Sequence, residues 1–219
     1  MRQLAEGLFQ LAGRPRNAVN VYLMGDVLVD AGTPSAAKRI LRQVSGRGVT
    51  AHALTHAHSD HFGSSKKVCE ALGVPLWCGA GDVEAAETGR IPTVDHWLGR
   101  VIRRLPGPPG HPVARRLGEG DEVAGFRVLE VPGHSAGHVA YWRESDRTLV
   151  LGDVLFNVNL RNFRPGLNEP PRAFTPDPAR NRESARRVAA LEPALVCFGH
   201  GPPTRDTAGF VRFIEKLPR

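Results

Sequence analysis

The chain of 219 residues is 41% hydrophobic and 23% charged, a balance that excludes a disordered or fibrous polymer and is enough for a buried core in a single domain, expected to span residues 1–219. Its formal charge of +7 would suit phosphate partners, but the excess is Arg scattered among acids, with Lys only at Lys38, Lys66, Lys67 and Lys216, so nucleic-acid binding is not expected. Cys69, Cys78 and Cys197 form no CxxC pair, the first residues lack an apolar export segment, and no apolar run reaches about eighteen residues, so buried thiols, a cytoplasmic location and no membrane contact are expected.

Val19 to Leu23 and Val27 to Val29 are apolar runs parted by Gly25-Asp26, which predicts a hairpin. Thr33 and Pro34 read as the cap and first turn of a helix to about Ser45, with Ala37, Ile40, Leu41 and Val44 on one face. Val49 to Leu54 predicts a strand, and a helix from His61 or Phe62 to Leu72 should stop at Gly73. Pro75 to Cys78 reads as a strand and Asp82 to Thr88 as a short helix, while the proline-rich stretch 90–112 reads as a loop or lid. Strands follow at Phe126 to Val131, Val139 to Trp142 and Thr148 to Leu151, then a long polar loop over 156–178. A helix from Ala179 to Leu191, a strand from Ala194 to Phe198 and a helix from Thr207 to about Leu217 close the chain.

Chemistry concentrates in Thr55-His56-Ala57-His58-Ser59-Asp60-His61, four donors within six residues at a predicted strand-to-helix turn. Imidazole nitrogens and carboxylate oxygens bind borderline divalent cations, and spacing this tight suits two adjacent ions. Four local donors cannot fill two coordination spheres, so distant segments must contribute. His134, Asp153 and His200 qualify, each directly following a glycine at the end of an apolar run.

His56-x-His58-x-Asp60-His61 followed by His134, Asp153 and His200, with Val27-Leu28-Val29-Asp30 as an early strand ending in Asp, resembles the metallo-β-lactamase-fold superfamily over almost the whole chain. The resemblance implies an α/β fold, a four-layer αββα sandwich with its site at one edge. It further implies that His56, His58 and His134 hold one metal ion, that Asp60, His61 and His200 hold a second, and that Asp153 bridges them. The ions would be zinc by preference, with iron or manganese accepted by the same donors. Two such ions ~3.5 to 4 Å apart would acidify a bridging water to hydroxide and polarise the bond it attacks. Counting that hydroxide with Asp60 and Asp153 leaves the site at about +1, which favours anionic intermediates and a small-molecule substrate, anions included. Asp60 is the candidate catalytic residue, orienting the nucleophile or relaying its proton.

Gly152-Asp153-Val154-Leu155-Phe156 is similar to the corresponding run of glyoxalase II-type thioesterases, so the resemblance points to hydrolysis of an ester, thioester or lactone. The chain ends about one helix beyond His200, which argues against glutathione thioesters, and Phe156 stands where lactonases of the superfamily place Tyr. Alternatives within the same fold are an iron-dependent persulfide dioxygenase-like enzyme and a phosphodiesterase or nuclease, while His58 argues against the flavodiiron branch, which has Glu there. Asp30 is expected to brace the ligand loop, and His138 to give either similar support or plain packing. His52, His96 and His111 are read as surface or loop residues. Arg161, Arg164 and Arg172 are candidates to meet an anionic group, and Phe156 and Phe163 to line an apolar pocket.

Overall fold

Strands whose alternate side chains are apolar on both faces must be covered on both faces, and here two sheets cover each other while helices cover their backs. The computed structural model describes residues 1–90, 107–159, 162 and 164–218. The first sheet has the order β1 (Arg2–Ala5), β2 (Leu8–Gln10), β3 (Tyr22–Met24), β4 (Val27–Val29), β5 (Ala51–Ala53), β6 (Leu76–Gly79) and β7 (Val113–Leu117), parallel from β4 onward. The second comprises β8 (Glu122–Val123), β9 (Phe126–Glu130), β10 (Val139–Arg143), β11 (Thr148–Gly152) and β14 (Leu195–Phe198), in the order β14-β11-β10-β9-β8 with β14 parallel to β11. A ribbon of β12 (Phe156–Val158) and β13 (Pro165–Asn168) stands beside them.

Side-chain parity sorts the layers. Tyr22, Met24, Val27, Val29, Ala51 and Ala53 face inward onto Phe126, Val128, Val139, Tyr141, Val150 and Cys197 of the opposite sheet. Leu23 and Leu28 point the other way, onto Ile40 and Val44 of α1 (Ala37–Val44). Leu76 and Cys78 pack with Cys69 of α3 (Ser65–Leu72) and with Val83 and Ala86 of α4 (Val83–Thr88). Behind the second sheet, Trp142, Leu151 and Phe198 meet Ala185 and Val188 of α5 (Pro178–Ala189) and Phe210 and Ile214 of α6 (Thr207–Glu215). The result is the αββα sandwich; each large side chain so buried contributes roughly 1.5 to 3 kcal/mol.

Several boundaries differ from expectation for local reasons. α1 begins at Ala37 rather than at Pro34, because the Ser64 hydroxyl accepts the Ala37 N–H at 3.0 Å and supplies the cap that Thr33 was expected to give. The helix expected over 61–72 is broken into α2 (Ser59–Phe62) and α3. At the break, a Cβ on Gly63 would lie 2.6 Å from the Pro34 ring, so the chain crosses there with no room for a side chain. The Gly25-Asp26 turn joins β3 to β4 with Met24 opposite Val27, and Gly73 caps α3 in the left-handed conformation, its N–H bonded to the Cys69 carbonyl. β1, β2, β7, β8, β12 and β13 were not foreseen; β12 and β13 lie inside the segment read as a long loop. Within the stretch 90–112, residues 91–106 are outside the described residues, and His96 with them.

His52 is corrected: it is fully buried, its Nδ1 3.0 Å from the Leu28 carbonyl and its Nε2 2.8 Å from Ser65 Oγ. β5 is central in its sheet, so the residue between inward Ala51 and Ala53 points beneath the helices, and burial lowers its pKa and keeps it neutral. His111 is half-buried in the loop before β7.

Two tyrosines tie the sheets together reciprocally. Tyr22 on β3 donates to the Phe198 carbonyl at the end of β14, and Tyr141 on β10 donates to the Leu54 carbonyl just past β5, each at 2.6 Å. The Phe198 carbonyl also accepts Asn20 Nδ2 at 2.9 Å, whereas the Leu54 carbonyl has no other hydrogen bond among the described residues. Losing the donor to a buried carbonyl costs about 1 to 3 kcal/mol, the upper end when nothing replaces it. Urea denaturation should therefore show Tyr141→Phe destabilised within that range and Tyr22→Phe destabilised by less; equal losses would contradict the assigned partners.

Candidate metal centre

All the sequence-identified donors lie at the carboxyl ends of strands, where the edges of the two sheets meet. His56 and His58 follow β5, Asp60 and His61 ride on α2, His134 sits between β9 and β10, and Asp153 and His200 directly follow β11 and β14. The structure brings the seven together. Asp153 Oδ2 is the common point, 3.2 Å from His200 Nε2, 3.3 Å from His61 Nε2, 3.5 Å from His134 Nε2 and 3.7 Å from His56 Nε2. On one side His58 Nδ1 lies 2.9 Å from His134 Nε2; on the other, Asp60 Oδ2 lies 3.2 Å from His200 Nε2 and 3.9 Å from His61 Nε2. The donors resolve into His56 with His58 and His134, Asp60 with His61 and His200, and His56 with His61 and Asp153, the atoms of each group within 4.8 Å of one another.

Which nitrogen of each ring carries the proton follows from the hydrogen bonds behind it. Thr55 Oγ1 gives its proton to Asp30 Oδ2, so it can only accept from His56 Nδ1–H. Thr175 Oγ1 gives its proton to the Pro171 carbonyl and accepts from His134 Nδ1–H at 3.2 Å. His61 Nδ1–H donates to Asp30 Oδ2 at 2.9 Å, and His200 Nδ1–H to the Ala18 carbonyl. Four rings thus turn Nε2 toward Asp153, and His58 faces them with Nδ1. Ligand atoms on one tetrahedral ion with bonds of ~2.0 to 2.1 Å stand roughly 3.3 Å apart, close to the separations here. His56 Nε2 and Asp153 Oδ1 are buried without a hydrogen-bond partner among the described residues. This donor set fits a pair of divalent cations and is costly without one.

The electrostatics divide the same way. Burial, reinforced by His134, drives His58 down to about 3, and burial with His61 puts His56 well below the usual range. Burial opposes protonation of His200 too, but Asp153 and Asp60 override it and raise it to about 10; Asp153, Asp60 and Asp30 likewise hold His61 well above its usual value. Burial would raise Asp153, yet His200 and His61 keep it well below the carboxylate range, and Asp60 is lowered by the same two rings against its burial. On one side His56 and His58 are neutral imidazoles, on the other Asp60, His61, His200 and Asp153 are ion pairs.

Support comes from residues of uneven visibility in the sequence. Asp30, in the left-handed region at φ 61°, accepts the Thr55 N–H and hydroxyl at 2.8 Å each besides His61, the bracing role expected of it. His138 Nε2 accepts the Asp153 N–H at 3.0 Å and its ring stacks on His56 at 4.8 Å, so it supports the site rather than merely packing. Gly152, at φ 63°, has no room for a side chain because a Cβ would lie 2.7 Å from the His138 ring. Asp82, Thr175, Asn20 and the Ala18 carbonyl were missed; they are single polar groups with no spacing motif to mark them. Phe156 lies against His200, ring centroids 4.4 Å apart, as a wall of the site. Arg164 and Arg172 are exposed, and Arg161 and Phe163 are outside the described residues.

Among the described residues, no helix is long and apolar enough to cross a membrane. Comparison with known proteins gives a consistent result. The chain is 29% identical to a probable metallo-hydrolase, YflN, of Bacillus subtilis over 92% of this chain and 86% of that protein. It is 27% identical to a hydroxyacylglutathione hydrolase of Bdellovibrio bacteriovorus over 86% of this chain but 62% of that protein; it spans about half to three fifths of the hydrolases so named. Among solved structures, TTHA1623 in a di-iron-bound form superposes with a TM-score of 0.68 at 32% identity, covering 90% of this chain and 94% of that one. The Thermus thermophilus protein TTHA1429 superposes with a TM-score of 0.68 at 28% identity, covering 98% and 79%. With residues 14–200 matched by the profile of the metallo-beta-lactamase superfamily, and with the fold and donor cluster already described, the chain belongs to that superfamily of metal-dependent hydrolases.

Proposed function

We propose that this protein hydrolyses an acyl ester, thioester or lactone of a small molecule at a dinuclear centre. His56, His58 and His134 would hold one divalent ion, Asp60, His61 and His200 the other, and Asp153 would serve both. Zinc is the first choice, with iron and manganese compatible with the same donors. The single observation that carries this reading is the convergence of four oriented imidazole Nε2 atoms on one buried carboxylate oxygen. Bound there, a pair of divalent cations supplies an ionised water near neutral pH and polarises the scissile carbonyl.

The chain's own residues do the remainder. Asp60, its side chain 37% exposed and its carboxylate held ionised, is the one donor partly open to solvent, and it takes the nucleophile's proton and returns it to the leaving group. Phe156 covers His200 and excludes bulk water from that flank. The acyl preference rests on the Gly152-Asp153-Val154-Leu155-Phe156 run and on the relatives named hydroxyacylglutathione hydrolase.

The reading is tested by elemental analysis of the purified protein, followed by a panel of esters, thioesters, lactones and phosphodiesters under zinc, iron and manganese loading, with oxygen uptake recorded in parallel. Two ions per chain and acyl hydrolysis without oxygen uptake are expected; oxygen consumption with a persulfide would replace this reading.

Three outcomes follow for the site. A Cβ at Gly199 collides with Asp153 Oδ1 and lies 2.7 Å from His61 Cε1, so Gly199→Ala should weaken metal binding by about 10- to 100-fold, as displaced ligands do, read by competition with a chelator. His200 and His61, with raised pKa values, carry protons at neutral pH that a cation must displace. Affinity should therefore climb as pH is raised from 6 to 9, with proton release seen by calorimetry in buffers of different ionisation enthalpy; a flat profile would refute the assignment. Asp60→Asn with both ions retained should lower kcat by about 100-fold or more, and an unchanged rate would remove its role as proton relay.

A further inference from the structure

Asp82 joins the two loops that carry His56, His58 and His134, and the mechanism above makes no use of it. It sits where a 3-10 turn (Ala80–Asp82) runs into α4, and it is 1% exposed. Oδ2 accepts the Ala57 N–H at 2.9 Å and the Ser135 hydroxyl at 2.6 Å, and Oδ1 accepts the Gly137 N–H at 2.7 Å. Ala57 separates His56 from His58, and Ser135 directly follows His134. The ligand rings themselves meet at His58 Nδ1 and His134 Nε2, 2.9 Å apart, and a backbone tie runs from the Val139 N–H to the Thr55 carbonyl, back at the strand ends. Among the described residues, Asp82 is the side chain outside both loops that hydrogen-bonds both ligand-bearing tips.

The surroundings have been cleared of side chains to let it do so. A Cβ on Gly81 would stand 2.7 Å from the Ala136 carbonyl, and one on Gly137 would stand 2.8 Å from the Gly81 carbonyl carbon and 2.9 Å from Asp82 Cβ. Backbone lies on backbone, so the Asp82 carboxylate reaches both loops with one rotamer. All three donors are neutral, and no ion pair to Asp82 occurs among the described residues. Its carboxylate thus lies behind a group of three histidines that supplies no negative charge of its own.

We infer that Asp82 is a positioning residue for the three-histidine group: it sets the spacing of His56 and His58 against His134, and places a negative charge behind them, so that it governs cation binding there and not at Asp60, His61 and His200. This rests on the dinuclear reading above. An amide at position 82 keeps one acceptor and turns a donor toward either the Gly137 N–H or the Ala57 N–H, so Asp82→Asn loses part of the grip and all of the charge.

The two groups can be isolated in the full-length chain, His200→Ala leaving the three-histidine group and His56→Ala leaving the other. Metal-free proteins are titrated with cobalt(II) and followed by d–d absorption, with thermal melting of each metal-free protein alongside. Asp82→Asn should weaken cobalt binding about 10- to 100-fold in the His200→Ala background and less than about 2-fold in the His56→Ala background. Equal loss in both, or none in either, would overturn the inference while leaving the dinuclear reading intact. Failure of the unsubstituted chain to bind two cobalt ions would overturn both. Should Asp82→Asn not fold, Ser135→Ala removes one of the three bonds and should give a smaller loss confined to the same background; a loss shared by both groups would again overturn it.

Discussion

Asp153 Oδ2 lies within 3.7 Å of four imidazole nitrogens that are themselves almost wholly buried, and most of what is distinctive in the structure serves to hold that arrangement. Bringing six polar side chains into an apolar sandwich costs several kcal/mol per unsatisfied or charged group. The fold meets this cost from behind. Nitrogens turned away from the centre are bonded to Thr55, Asp30, Thr175 and the Ala18 carbonyl, and the proton of each threonine is directed onward to Asp30 or to the Pro171 carbonyl. The inward-facing nitrogens are thereby fixed in direction before any cation arrives, which is the preorganisation that a precise coordination site requires.

The donors are asymmetric about that carboxylate. On the three-histidine side His56 and His58 are neutral and the Asp82 carboxylate is bonded to the loops behind them; the Asp60 side is a network of ion pairs open at one carboxylate. A hydrolytic reaction has unequal demands at its two ends, charge developing on one oxygen while a proton is moved at another. An unsymmetrical pair of half-sites meets those demands better than two equal ones would.

Much of this was legible in the residues. His56, His58, Asp60 and His61 announce themselves by spacing, and unbroken apolar runs such as Val27 to Val29 and Thr148 to Leu151 mark strands covered on both faces. His134, Asp153 and His200 are recognisable through the glycine before each; Gly152 and Gly199 prove to be places where a Cβ would strike a ligand or its support. The supporting groups were not legible, because Asp82, Thr175 and Asn20 act through contacts with segments 25 to 181 residues away and follow no local pattern. His52 was misjudged for a related reason: burial of a polar strand residue depends on which helices lie over it. The start of α1 was misplaced because its cap is donated by Ser64, a residue from a different helix boundary.

The reciprocal tyrosine bonds have a consequence for assembly. Each hangs the entrance of a ligand loop in one sheet from the interior of the other, Leu54 from Tyr141 and Phe198 from Tyr22. The first half of the chain holds four of the donors, braced by Asp30 and Asp82, and the other three, His134, Asp153 and His200, come only with the second sheet. The complete set of seven donors therefore exists only once the last strand, β14, has paired with β11 and both sheets are joined.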